Sequence, residues 1–169
     1  MYFYSTSGTP EFMEKIQAKH SDLNMYLLHG QGNSLLMYET EKKKSVFATP
    51  RKFEIIDGRG EFEHRGYIGV ENVPVADEGR PVFEQAVKKS IANLHNDTSC
   101  IAFRVLRPIK AETYLIVTQW AGPASYDVWK ESPTYKDGIA SIIHNMSTST
   151  QAMYNSKAYT SSFSVATKE

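Results

Sequence analysis

The sequence predicts an α+β protein, a barrel of strands with helices outside, built from two βαββ-type halves within one chain. Three observations carry that prediction. Strand and helix patterns run strand–helix–strand–strand up to residue 62 and begin again in the same order after it, without repeating the residues themselves. The helical stretches are apolar along one face, as in Phe83, Val87, Ile91 and Leu94. Two sheets closed on each other with helices outside would bury those faces, whereas closure by strands alone would leave them in water.

Each element has its own local reason. "MYFYST" is a short aromatic strand. In "GTPEFMEKIQAKH", Thr9 is placed to cap a helix that Pro10 opens, with Phe12, Met13 and Ile16 on its apolar face. "NMYLLHG" and "SLLMYET" read as a hairpin around "GQGN". "EKKK" is a charged turn, "SVFAT" a further short apolar run that Pro50 ends, and "FEIIDGRGEF" closes the half in a Gly-rich connection at Asp57-Gly58-Arg59-Gly60.

The second half opens with the strand "RGYIGVENVPV" and the helix "DEGRPVFEQAVKKSIANLH". "SCIAFRVLRP" and "TYLIVTQW" follow as strands joined at "PIKAE"; in the latter, Tyr114, Ile116, Thr118 and Trp120 point one way, and Leu115, Val117 and Gln119 the other. "YDVWKESPTYKDGIASIIHN" reads as two helical pieces hinged at Ser132-Pro133. A polar "STST" stretch precedes a last strand, "KAYTSSFSV", in which Tyr159, Phe163 and Val165 alternate with small polar residues. A binding cavity is expected between the helices of this half and its sheet.

Composition removes several classes of function. With 19 basic and 19 acidic side chains the formal net charge is +0, so no long-range field draws the chain to nucleic acid or to an anionic membrane. The start "MYFYSTSGTP" has neither a basic leader nor a long apolar stretch, so no signal peptide or membrane span is expected and the cytoplasm is the expected location. Cys100 is the single cysteine, which excludes an internal disulfide and a cysteine-based zinc cluster. It reads as a small buried hydrophobe.

The candidate residues are few. Trp129 reads either as a core anchor or as the wall of a pocket. Asn72 sits in a strand, where asparagine is disfavoured; either a bulge beside Pro74 accommodates it or its amide points into a cavity. The five histidines, His20, His29, His64, His95 and His144, show no paired metal-ligand spacing. His20 and His95 follow helix ends, where a cation is favoured. No phosphate-binding loop, dinucleotide fingerprint or nucleophile motif is present.

Residues 65–140 resemble the IsdG-type heme-degrading monooxygenases of the antibiotic-biosynthesis-monooxygenase superfamily, and the whole chain is similar to their long single-chain members. The resemblance rests on "VENVPVADEGRPVFE", "RVLRPIKAETYLIVTQW" and "YDVWKESPTYK". It implies a ferredoxin-like α+β barrel. Residues 1–62 would supply the half that completes the barrel, and residues 63–169 the half that carries the heme site. A monomer is expected, since one chain then holds both halves.

By the same resemblance, the family's heme-site asparagine falls on Asn72 and its tryptophan on Trp129, both in catalytic and heme-binding roles. Its axial histidine falls on Ile139, which has no lone pair to give iron. Tyr135, on the same helical face, is one substitute donor. His144 is the other, five residues on and about 140° round an α-helix unless the helix is broken near Gly138. The implied function is oxidative cleavage of the porphyrin with iron release. Heme would be substrate and cofactor, O2 the oxidant, and an electron-donor reductase the external reductant. A non-catalytic or regulatory heme binder of the same family, or a cofactor-free monooxygenase, are the alternatives that Ile139 favours.

Overall fold

The computed structural model describes residues 1–146 and 157–168, so the "STST" stretch at residues 147–150 lies outside the described residues. Eight strands close an antiparallel barrel in the order β1-β3-β2-β8-β5-β7-β6-β4. They are β1 (Tyr2–Gly8), β2 (Tyr26–His29), β3 (Ser34–Thr40), β4 (Arg51–Arg59), β5 (Tyr67–Pro74), β6 (Cys100–Pro108), β7 (Thr113–Trp120) and β8 (Tyr159–Val165). Helices lie outside it, among them α1 (Pro10–Lys19), α2 (Arg80–Ile91) and α3 (Pro123–Glu131). This is the ferredoxin-like, two-half α+β barrel that the sequence predicts.

The last strand of each half bridges to the other half. The β1-β3-β2 sheet has its counterpart in β5-β7-β6. β4 pairs with β1 and with β6, while β8 pairs with β5 and with β2. Three cores result. Phe3, Leu28, Met37, Ile68, Val117 and Phe163 belong to the core inside the barrel. Met13 of α1 packs on Tyr4, Leu36 and Tyr38 outside one sheet. Phe83, Val87 and Ile91 of α2, with Tyr126 and Trp129 of α3, cover the outer face of the other.

The cap of α1 holds as expected, and one expected connection is strand instead. Thr9 Oγ1 accepts a hydrogen bond from Phe12 N at 3.3 Å and caps α1. Met13 is buried as expected, but Phe12 is 58% exposed, so the apolar face of α1 is narrower than its sequence suggests. "SVFAT" is not a strand. Tyr38 Oη accepts from Val46 N, and Ser45 Oγ accepts from Phe47 N, so side chains satisfy this backbone instead of a ladder. Phe47 then plugs against the Tyr38 ring at 5.2 Å.

Asp57-Gly58-Arg59 is strand rather than connection. β4 continues through it with a bulge between Ile55 and Asp57. A Cβ on Gly58 would come within 2.8 Å of the Phe103 carbonyl, so glycine serves close strand approach here. Among the described residues, no helix is long and apolar enough to cross a membrane.

Candidate functional site

α3 ends where the sequence expects a hinge. Ser132 Oγ donates to the Trp129 carbonyl at 2.6 Å and accepts from Tyr135 N at 3.3 Å, turning the chain at Pro133. The next turn, Thr134–Ile139, is wound as a π-helix and continues as α-helix to residue 146. Such wide turns are rare in helices and frequent at functional sites. Here the turn buries both Tyr135 and Ile139, the latter at 1% exposure, beside α2 and the sheet.

Trp129 is the centre of an aromatic group. Its ring lies 4.8 Å from Tyr135, 5.2 Å from Trp120 and 6.2 Å from Tyr126. Gly69 makes room for Tyr126: a Cβ there would stand 2.2 Å from the phenol ring. Trp129 Nε1 and Tyr126 Oη are buried without a hydrogen-bond partner. Burial first, then the Glu71 carboxylate, push the Tyr126 phenol above its ordinary range.

The polar group facing this aromatic cluster is one the sequence reading missed. Along β5, Ile68 and Val70 point into the barrel and Asn72 lines its interior cavity, so by strand alternation Glu71 points outward under the helices. Glu71, 4% exposed, is held from three sides. Lys130 Nζ donates to Glu71 Oε1 at 2.5 Å and Tyr135 Oη donates to the same oxygen at 3.0 Å. Thr160 Oγ1 donates to Oε2 at 2.7 Å. Lys130 Nζ also lies 2.6 Å from Tyr135 Oη, closing a triangle.

The structure therefore divides the sequence-predicted site. Trp129, Tyr135 and Ile139 share the helix-side core. His144 is exposed at the border of a shallow cleft with Glu71, Tyr135 and Thr160. Asn72 is on the other side of the sheet. Its amide Nδ2 donates to the Tyr159 carbonyl at 3.2 Å and to Ser161 Oγ at 3.1 Å, inside the barrel. Asn72 and Trp129 do not face one cavity, because β5 turns successive side chains to opposite faces. The signal that could have found Glu71 is a lone carboxylate in "YIGVENVPV", which must meet a cation if buried.

Where the cavity is expected, between helices and sheet, the described side chains pack into one core. Two clefts at its edges, beside Trp129 and beside His144, measure about 170 and 260 Å³. A cavity of about 390 Å³ lies instead in the mouth of the barrel.

Neither Ile139 nor Tyr135 suits the role of heme ligand. Ile139 stands where the resemblance puts the axial ligand and has no donor atom. Burial and the Glu71 carboxylate raise the Tyr135 pKa, so its phenol stays protonated and bonded to Glu71. Cys100, in the same core, has its thiol pushed up to about 11 by burial and is not a thiolate. Among the described residues, no three His, Cys, Asp or Glu side chains gather as a metal site.

Residues 67–141 match the family model for antibiotic biosynthesis monooxygenase. A signal transduction protein TRAP of Staphylococcus epidermidis is 25% identical over 140 residues, 83% of each chain. A heme-degrading monooxygenase of Listeria monocytogenes is 22% identical over 145 residues, 86% of each chain. Among solved structures, a major regulator of staphylococcal pathogenesis superposes with a TM-score of 0.82 at 21% identity, over 96% of this chain and 98% of that one. LmHde, a heme-degrading enzyme from Listeria monocytogenes, gives 0.77 at 18% identity, over 97% and 99%. At these identities the two structures share the fold.

Proposed function

We propose that this chain, whose residues 67–141 belong to the antibiotic biosynthesis monooxygenase family, is a regulatory or binding member of it that does not degrade heme. The observation that carries the reading is the filled helix-side site. Glu71, Lys130, Tyr135 and Thr160 close on one another there, and Ile139 completes the wall. To admit a macrocycle the site would have to break the pair of buried Glu71 with half-buried Lys130 and part an aromatic cluster. Removing one partner of a buried pair costs about 3–5 kcal/mol. Similarity to a protein named for signal transduction supports the same reading.

Heme degradation, the activity in the name of the Listeria relative, is the reading this one displaces. A cofactor-free oxygenase acting on an aromatic substrate fits less well, since the helix-side clefts beside Trp129 and beside His144 measure about 170 and 260 Å³, small for a ligand pocket.

A heme titration decides the matter. Ferric heme added to micromolar protein should give no saturable Soret shift at one equivalent, and ascorbate with O2 should release no iron. A one-equivalent Soret band that His144→Ala abolishes, with iron release under reductant, would return the chain to the heme-degrading class.

A further inference from the structure

The barrel interior narrows from one end to the other. At the closed end, Gln119 Nε2 donates to the carbonyls of Glu63 and Arg65, Tyr26 Oη donates to that of Phe62, and Arg104 pairs with Glu39 at 2.6 Å. Toward the other end, the inward side chains become small or polar on three strands, while Leu35 of β3 and Leu115 of β7 stay apolar. Phe3 gives way to Ser5 and Ser7 on β1, Val70 to Asn72 on β5, and Phe163 to Ser161 on β8. The result is the funnel of about 390 Å³, apolar at its base and lined with hydroxyls near its mouth. Eight-stranded barrels have room either for their own side chains or for one small ligand.

Two features ask for a ligand with a polar head. Ser5 is 1% exposed, lines the funnel, and its Oγ has no hydrogen-bond partner. All three hydrogen bonds recorded for Asn72 run from Nδ2, to Val70, Tyr159 and Ser161, which fixes the amide at the funnel wall. Among the described residues, the lining contains no carboxylate, and Arg51 is its one charged residue. Its guanidinium lies 5.4 Å from the centre of the Phe53 ring, and no carboxylate among the described residues is within ion-pair distance of it.

We propose that the barrel mouth binds a medium-chain aliphatic monocarboxylate, its chain on Phe3, Met37, Val70 and Val117 and its carboxylate at the rim with Arg51. Burial of an alkyl chain against this base supplies the affinity. The guanidinium, with the rim hydroxyls, selects acid over alcohol. The cavity volume is at the lower end of the range of about 300–1,000 Å³ for ligand pockets, which favours a short amphiphile. Because the funnel and the helix-side site lie on opposite faces of β5, this inference stands or falls apart from the heme reading.

The test is calorimetric titration of the full chain with decanoate, with decanol of equal chain length in parallel. Decanoate should saturate at one equivalent and decanol should bind about tenfold more weakly, the usual worth of a charge-assisted hydrogen bond. Arg51→Gln should remove that preference while leaving decanol binding as it was. Val70→Trp should fill the funnel and abolish both, with circular dichroism and thermal melting used to show that the variant is folded. If Val70→Trp does not fold, Leu115→Phe is the second filling variant. No saturable decanoate binding up to millimolar concentration would overturn the proposal. So would decanoate binding that survives a folded filling variant, or an acid preference that Arg51→Gln leaves intact.

Discussion

A single step along β5 separates two chemical readings of the same chain. Asn72 belongs to the barrel interior, and its neighbour Glu71 belongs to the helices. The resemblance could name the asparagine but not its direction, because inward Val70 and outward Val73 are both apolar and hide the alternation. Tyr135 and Ile139 were legible as a pair, since a spacing of four puts them on one helical face, whereas Trp129 joins them only across the turn at Pro133. If the Glu71–Lys130–Tyr135 triangle holds the helix-side site closed, Lys130→Met and Tyr135→Phe should be non-additive. A double-mutant cycle by urea unfolding should show coupling of about 1–2 kcal/mol; simple additivity would mean that the two act on Glu71 independently. Gly69→Ala offers a second check, because its Cβ would enter the Tyr126 ring. The expected loss is about 1–3 kcal/mol, the usual cost of overpacking, with altered tyrosine and tryptophan near-ultraviolet dichroism as Tyr126 shifts against Trp129. Unchanged stability would show that the ring moves freely.

Helices were easier to read than strand partners. Phe83, Val87 and Ile91 specify the buried face of α2 by spacing alone, and all three are fully buried. β4 was harder, because its partners β1 and β6 are distant in sequence and its glycine looks like a turn until Phe103 is seen beside it. α2 is also tied to the sheet by charge, which no periodicity announces. Arg107 of β6 donates to both Glu84 oxygens, at 2.8 and 2.6 Å, and Tyr114 Oη of β7 donates to Glu84 Oε2. The Arg107 hydrogen bonds foremost, against the opposing effect of burial, hold the Glu84 carboxyl below its ordinary value of 4.5. A carboxyl depressed by folding stabilises the fold at pH above its unfolded value, and loses that contribution as pH falls through the folded one. The difference in urea midpoint between the native chain and Glu84→Gln should therefore be constant near neutrality and shrink on the acid side of 4.5. A difference independent of pH would assign the loss to packing instead.

At the scale of the molecule, the reciprocal strands decide how the chain associates. β8 closes the gap between β5 and β2, and β4 closes that between β6 and β1, so every strand has two neighbours and none is left as an edge. The repeated strand–helix–strand–strand order made two halves visible in the sequence. The bridging was not visible, because nothing local in "KAYTSSFSV" says that its neighbours lie some ninety and more than a hundred residues earlier. Sheets with free edges recruit other chains; closed ones do not. Sedimentation of the native chain at tens of micromolar should accordingly give a monomer, with no concentration dependence. Deleting residues 157–169 would remove β8 and leave β2 and β5 each with an open edge, while also uncovering Phe163's place in the barrel core. That variant should self-associate through the exposed strands, and a synthetic peptide of residues 157–168 supplied in excess should compete with the association. If the native chain is instead an obligate dimer, or the shortened one stays monomeric and folded, strand bridging is not what keeps this barrel solitary.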